Sequence, residues 1–162
     1  MAKRFSSKSC FDVPAPALFE LYADTSFQEA KAVHMGARSA SATRAERPDG
    51  KLEVTVTMVR PRHGGGDTDE HATMTMLLDP KTLGSTWRQV VRGYERRARV
   101  EGTSCVRAMG AERCELTVEG SIEIKIPLLG RLIERKIVEA IERSVDQEAG
   151  FIQRVLDGRH AR

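Results

Sequence analysis

The feature that most constrains the fold is a change of hydrophobic period close to the C-terminus. From residue 115 to residue 126, apolar and polar residues alternate, which is typical of a strand with one buried face. Pro127 then ends the ladder because it lacks a backbone N–H, and its fixed φ suits the first turn of a helix. The following apolar residues have helical spacing, and they predict a helix over about 127–156. Such a helix, roughly 40 Å long, needs a broad partner surface.

Two faces can be assigned to this helix from the same spacing. The apolar stripe consists of Leu129, Leu132, Ile133, Ile137, Ala140, Ile141, Val145, Ile152, Val155 and Leu156. The opposite, solvent-facing side is expected to carry Glu134, Arg135, Glu139, Glu142, Arg143 and Asp146. Ser144 and Glu148 interrupt the stripe. A buried Glu148 carboxylate would be a candidate ligand anchor or general acid, whereas a helix face turning out to solvent is the simpler interpretation.

The rest of the chain supplies a sheet and two short helices. A strand is predicted at 3–13. Prolines introduce a helix within the segment 13–24, and a second short helix is predicted at 27–33. Further strands are predicted at 37–47, 51–61, 71–78, 85–95 and 96–109. The order is therefore one strand, two helices, six strands and a long helix. It predicts an α+β fold with an antiparallel sheet.

Two stretches, DVPAPALFELYADTSF near the start and KIPLLGRLIERKI at the last junction, carry a family resemblance. Together with the element order, they resemble the START-like superfamily, also called SRPBCC or helix-grip, which includes birch-pollen-allergen-like proteins and polyketide cyclases. The junction is most similar to a bacterial branch known only as a domain of unknown function. The resemblance implies one domain over 1–162, with a seven-stranded sheet curved around the C-terminal helix and an apolar cavity between them. It implies no particular reaction.

Composition excludes several functional classes. The 162 residues suit a single domain, and a net charge of +3 with few aromatic residues does not favour nucleic-acid binding. No apolar run is long enough for stable membrane insertion or for a signal peptide, so a cytoplasmic location is expected. The three cysteines and four histidines lack metal-ligand or disulfide-framework spacing. No metal and no cofactor is predicted, and the oligomeric state is left open.

Apolar positions on the inner strand faces and on the helix are compatible with a packed core or with a cavity, and the resemblance favours a cavity that binds an apolar or amphipathic small molecule. Methionines suit such a lining because their side chains adapt to varied apolar shapes. Small residues such as Gly102 and Gly120 are expected to leave room. The predicted lining comprises Met58, Met74, Met76, Trp87, Gln89, Val100, Leu116, Val118, Ile122, Ile133, Ile137, Ile141, Ser144 and Glu148. The alternative is that these residues are simply packed core.

A positively charged rim is predicted at the mouth of this cavity. In the helix-grip layout, two loops would lie at that end, and their basic residues are Arg62, His63, Arg96 and Arg97. A solvated strand face with paired charges is the alternative. The HGGG stretch at 63–66 matches the oxyanion loop of some esterases, but the chain lacks a G-x-S-x-G nucleophile elbow, so no catalytic residue is assigned.

Two function classes follow from these observations. The first is a carrier or binder of a lipid or another apolar small molecule, because the expected lining is apolar and no catalytic set is visible. The second is a cyclase-like or hydrolytic enzyme in which Glu148, Gln89 or Trp87 acts on an apolar or polyketide-type substrate in the same cavity.

The parity of the last hairpin also makes a prediction about two cysteines. A three-residue loop over 108–110 would pair Val100 with Val118 and Gly102 with Leu116, keeping apolar residues on one face. In that register Cys114 faces inward, Cys105 faces outward, and no disulfide joins them.

Overall fold

The computed structural model describes residues 2–62 and 68–160 of the chain. Its elements run β1 (Lys3–Phe11), α1 (Ala15–Tyr22), α2 (Thr25–His34), β2 (Ser39–Glu46), β3 (Leu52–Pro61), β4 (Asp69–Asp79), β5 (Gly84–Val91), β6 (Ala98–Ala108), β7 (Cys114–Ile124) and α3 (Gly130–His160). The predicted order of elements and the α+β class are confirmed. No helix within the described residues is long and apolar enough to cross a membrane.

The seven strands form one antiparallel sheet in the order β1-β7-β6-β5-β4-β3-β2. The sheet curves around α3, with α1 and α2 inserted after β1, which is the helix-grip fold. Residues with even numbers on β3, β4, β6 and β7 face α3 and the short helices; we call this the inner face. The period-two pattern of the sequence thus assigned the faces of these strands correctly.

Two apolar clusters fill the inner face. One joins β1, β6, β7 and α1 to the C-terminal half of α3, through Phe11, Leu18, Cys114, Ile152 and Leu156 among others. The second lies beneath α1 and α2 on β3 and β4. The core is therefore densest at the end of the sheet where β1 ends and α3 finishes.

The second short helix begins two residues earlier than predicted, because Asp24 caps it. The Asp24 carboxylate accepts a hydrogen bond from the backbone N–H of Phe27 at 3.2 Å and also pairs with Arg159 near the end of α3. Partial burial raises the pKa of this carboxyl, but the bonds from Arg159 and Phe27 outweigh burial, and the net pKa is lowered. Asp24 thus joins the start of α2 to α3.

The long helix differs from its prediction at both ends. It begins at Gly130 and not at Pro127, and it continues beyond Leu156 to His160. Residues 127–129 form a turn in which Leu128 adopts a φ of 69°, a left-handed conformation that a helix cannot contain. Leu129 lies in this turn and Leu132 in the first turn of α3. Both were predicted in the apolar stripe, but both side chains are exposed.

Glu134 was predicted on the solvent-facing side of α3, and this prediction is wrong. Its side chain is only 5% exposed, and its Oε1 accepts a hydrogen bond from the backbone N–H of Ile124 at 2.8 Å. The N–H of the neighbouring Lys125 points to the β6 side, so the Ile124 N–H points to the β1 side. The first residue of β1, Lys3, pairs with Ile122, so β1 has no residue opposite Ile124. Glu134 therefore replaces the missing strand partner.

The β6–β7 hairpin has the predicted parity but a longer loop. Val100 pairs with Ile122 and Gly102 with Gly120, a shift of four residues from the predicted partners, because the loop spans 109–113. An even shift preserves the faces. Cys114 is buried, Cys105 is exposed, and neither forms a disulfide, as predicted.

Candidate functional site

The N-terminal half of α3 has an apolar side that no other helix covers within the described residues. Side-chain contacts between α3 and the two short helices begin at Gln147, whose amide donates to the His34 carbonyl, and continue through Glu148 and Phe151. Before Gln147, the described side-chain hydrogen bonds of α3 are with its own helix and with the end of β7. The candidate site is the region between this half of α3 and the inner face of the sheet.

The predicted lining residues of α3 share one side of the helix. Spacings of three and four residues place Ile133, Ile137, Ile141, Ser144 and Glu148 on one side of α3, and all five are half-buried. The Ser144 hydroxyl donates to the carbonyl of Ile141 at 2.8 Å, so the polar atom is satisfied within the helix. This side of α3 is therefore apolar over three turns and becomes polar at Glu148.

The sheet side divides into accessible and packed residues. Met58, Met74, Trp87, Val100 and Val118 are half-buried on the inner face. Three other predicted lining residues are buried in the core, namely Met76, Leu116 and Ile122. The predicted lining on the sheet is therefore partly accessible and partly packed.

Trp87 lies over two glycines of the neighbouring strands. The register places Trp87 beside Gly102, which in turn pairs with Gly120, and Phe5 pairs with Gly120 from β1. A Cβ at Gly120 would lie 2.5 Å from Phe5 Cζ and 2.8 Å from Trp87 Cζ2. The room expected above these glycines is thus filled by aromatic rings, whose centroids are 6.1 Å apart. The glycines position an aromatic wall and do not enlarge a cavity.

The Trp87 indole keeps one unsatisfied donor. Its Nε1 is buried and has no hydrogen-bond partner among the described residues. A buried N–H without an acceptor is costly, and indole N–H groups normally find a partner. The site therefore offers a hydrogen-bond donor within an otherwise apolar wall.

A polar cluster of Arg60, Glu70 and Gln89 lies on the inner face, near the end of the sheet where α3 begins, which we call the open end. Arg60 Nε donates to Glu70 Oε1 at 2.7 Å, and these side chains are 19% and 10% exposed. With the side-chain amide of Gln89 oriented so that its oxygen faces the guanidinium, Arg60 Nη1 and Nη2 both donate to that oxygen at 2.8 Å. Gln89 was among the predicted lining residues, whereas Arg60 and Glu70 were not. Their even numbers on β3 and β4 were the available signal.

A second polar cluster joins α3 to both short helices. Glu148 Oε1 accepts hydrogen bonds from the Tyr22 hydroxyl and from Lys31 Nζ, each at 3.3 Å. Glu148 is therefore paired with both short helices, and its side chain is 33% exposed. Burial, together with the Glu148 charge, raises the pKa of Tyr22 well above its ordinary value, so this phenol stays protonated.

Three residues of the predicted rim lie at one end of the sheet. The β3–β4 loop, the β5–β6 turn and the β7–α3 connection all lie at this end, where the apolar side of α3 is uncovered. Arg62, Arg96 and Arg97 are exposed there. His63 lies outside the described residues, as does the rest of the HGGG stretch.

Two open clefts on the described surface lie elsewhere. One of about 420 Å³ includes the row Ser41, Thr57, Thr73 and Val90 on the outer face of the sheet. Another of about 310 Å³ lies at the opposite end, between the β4–β5 turn and β6. Neither is bounded by α3, although the first cleft also includes Met58 of the predicted lining. Within residues 2–62 and 68–160, no group of three His, Cys, Asp or Glu side chains could hold a metal ion.

Comparison with known proteins places this geometry in a family. The model of a family described as "Protein of unknown function (DUF2505)" matches residues 7–156. No curated protein sequence matches the chain significantly.

Solved structures share the fold at low sequence identity. The Zhui aromatase/cyclase from Streptomyces sp. R1128 superposes with a TM-score of 0.71 at 17% identity, over 100% of this chain and 97% of the other. The protein TTHA0849 from Thermus thermophilus has a TM-score of 0.71 at 16% identity, over 96% and 99%. Norcoclaurine synthase from Thalictrum flavum, in complex with dopamine and hydroxybenzaldehyde, has a TM-score of 0.64 at 13% identity, over 96% and 87%. At these identities the likeness concerns the fold, which is that of the START-like superfamily.

Proposed function

We propose that this chain, which belongs to the DUF2505 family, binds an apolar or amphipathic small molecule between the N-terminal half of α3 and the inner face of its sheet. The observation that carries the proposal is the uncovered apolar side of α3, where Ile133, Ile137 and Ile141 are half-buried. Met58 and Met74 are also half-buried, on the inner face of the sheet. Binding sites for small molecules are typically concave and apolar, with few polar groups.

The polar groups suggest how such a ligand would be oriented. Its apolar part would lie between α3 and Trp87. Its polar end would point to the Arg60 cluster at the open end, near the exposed Arg96 and Arg97. An acceptor atom on the ligand would also satisfy Trp87 Nε1. A fatty acid should therefore bind more tightly than its methyl ester, and added salt should reduce the difference.

Binding of 1-anilinonaphthalene-8-sulfonate, followed by its own emission, tests the proposal. Ile137→Trp would fill the space and should lower the probe affinity at least about tenfold, since the indole would replace the ligand in contact with the sheet. Glu139→Trp adds the same side chain on the exposed side of α3 and should leave the affinity unchanged. Both variants should unfold at similar temperatures. Equal probe binding by the wild type and Ile137→Trp would contradict the proposal.

A second candidate function is a cyclase-like or hydrolytic enzyme acting in the same space. The observation that favours it is the convergence of Tyr22, Lys31 and Glu148, where a hydroxyl, an ammonium and a carboxylate lie within 3.3 Å contacts. Native mass spectrometry of the wild type and Glu148→Gln, purified in parallel, separates the two functions. A carrier would retain the same bound mass in both. An enzyme would retain a different mass in the variant, because its substrate would remain unconverted.

A further inference from the structure

The turn between β7 and α3 exposes three leucines, which we call the leucine tip: Leu128, Leu129 and Leu132. Their relative exposures are 102%, 55% and 48%. Single exposed apolar side chains are ordinary on protein surfaces, but three within five residues at one end of the molecule form a patch. This patch adjoins the open end of the proposed ligand space but is not part of its lining.

The conformation of Leu128 does not favour folding of the isolated chain. Its φ of 69° lies in the left-handed region, which leucine adopts at a cost and glycine adopts freely. Its side chain is fully exposed, so no burial offsets that cost. A leucine at this position therefore stabilises nothing within the described chain, and a contact outside the chain would account for it.

The tip stands on a fixed support. Gly130 packs so closely on the end of β7 that a Cβ there would clash with the Ile124 carbonyl oxygen. Glu134 binds the N–H of the same Ile124, which holds the first turn of α3 against the sheet. Leu128 is consequently projected from a rigid base.

Exposed basic residues surround the tip. They are Lys125, Arg131, Arg135 and Lys136 near the turn, with Arg96 and Arg97 on the β5–β6 turn. The backbone N–H of Lys125 donates to the carbonyl of Arg97 at 2.6 Å, so the two turns are adjacent. The nearby exposed acids are Glu95 and Glu139. Basic residues therefore outnumber acidic ones around the leucines.

We propose that the leucine tip docks reversibly on a bilayer surface that contains anionic phospholipids. Apolar side chains flanked by Lys and Arg are the combination that binds the interface of such a bilayer, where each basic residue near the surface strengthens binding about fivefold. A fully protruding turn suits insertion among lipid headgroups better than it suits a flat protein partner. The docking is independent of the proposed ligand, although it would bring the open end of the ligand space to the membrane.

Sedimentation with lipid vesicles tests this inference. The wild-type chain should bind vesicles of phosphatidylcholine with about 30 mol % phosphatidylserine, and it should bind pure phosphatidylcholine at least about tenfold more weakly. Raising the salt from about 0.05 M to about 0.5 M should reduce binding to the anionic vesicles. Leu128→Gly should weaken that binding about tenfold, since it removes the most protruding apolar group.

The variant also distinguishes docking from a structural role. Glycine relieves the left-handed strain, so Leu128→Gly should raise the unfolding temperature while vesicle binding falls. Met109→Ser, which removes an exposed apolar side chain at the opposite end of the sheet, should leave vesicle binding unchanged. Ile137→Trp should also bind vesicles normally, even where it loses the fluorescent probe. Unchanged vesicle binding by Leu128→Gly, or self-association that depends on Leu128 without vesicle binding, would overturn the inference.

Discussion

Replacing Gly120 with alanine should destabilise the protein because of the aromatic rings that lie above this glycine. The new Cβ would lie 2.5 Å from Phe5 Cζ and between 2.8 and 2.9 Å from two atoms of Trp87. Carbon atoms in contact are normally about 3.5–4.0 Å apart, so at least one ring must move by about 1 Å. Overpacking of this kind costs about 1–3 kcal/mol in the free energy of unfolding.

Chemical denaturation followed by circular dichroism and by Trp87 fluorescence measures this cost. For a chain of 162 residues, a loss of about 2 kcal/mol would lower the melting temperature by about 4–8 °C. Gly150→Ala is the matched control, because Gly150 is exposed within α3 and nothing lies within 4 Å of an added Cβ. It should stabilise the protein by about 0.5–1 kcal/mol, since alanine favours a helix over glycine.

A double-mutant cycle identifies the ring responsible. In a Phe5→Ala background the nearest clash is removed, so Gly120→Ala should cost about 1 kcal/mol less than it does in the wild type. A Gly120→Ala variant as stable as the wild type would refute the packing of the two rings over this glycine. So would an identical cost of the substitution in both backgrounds.

Three further predictions concern other parts of the fold. Glu134→Ala should cost about 1–3 kcal/mol because it leaves a buried backbone N–H unpaired, whereas the exposed Glu139→Ala should change stability by less than about 0.5 kcal/mol; urea unfolding compares them. Burial raises the pKa of the Cys114 thiol, so this cysteine should react slowly with a thiol reagent in the native protein, while the two exposed cysteines react readily. Rapid reaction of all three cysteines in the native protein would contradict the burial of Cys114. Because the pKa of Asp24 is lowered from 3.8, its stabilising contribution is complete above that value and is lost as the pH falls through the lowered pKa. Asp24→Ala should therefore lower the free energy of unfolding by about 1 kcal/mol at pH 7. A difference in stability between this variant and the wild type that persists in strong acid would argue against the pairing.

The sequence predicted those features that depend on local period. Alternation along β7 identified its buried face, and the same parity rule placed Cys114 inward and Cys105 outward although the loop length was wrong. Parity survives an even shift in register, so the faces were more secure than the individual pairs. The existence of α3 followed from its helical spacing in the same way.

The features that were not predicted depend on neighbours distant in sequence. Glu134 is buried because β1 is too short to reach Ile124, which the helix spacing alone does not contain. The Arg60 cluster requires the register of three strands, since each member comes from a different strand. Gly120 looked like a source of free space, but a ring from another strand occupies it. In each case pairing between strands overrides what the segment indicates by itself.

The most direct test of the proposed ligand space is a crystal structure with bromododecanoic acid bound, in which the anomalous signal of bromine marks the apolar end of the probe. We expect the bromine between α3 and the sheet, within roughly 4.5 Å of the Ile137 side chain on α3 and of Met74 or Trp87 on the sheet. The carboxylate should point to the Arg60 cluster. Bromine in the outer-face cleft beside Thr57 and Thr73, with none beside α3, would contradict the proposed site.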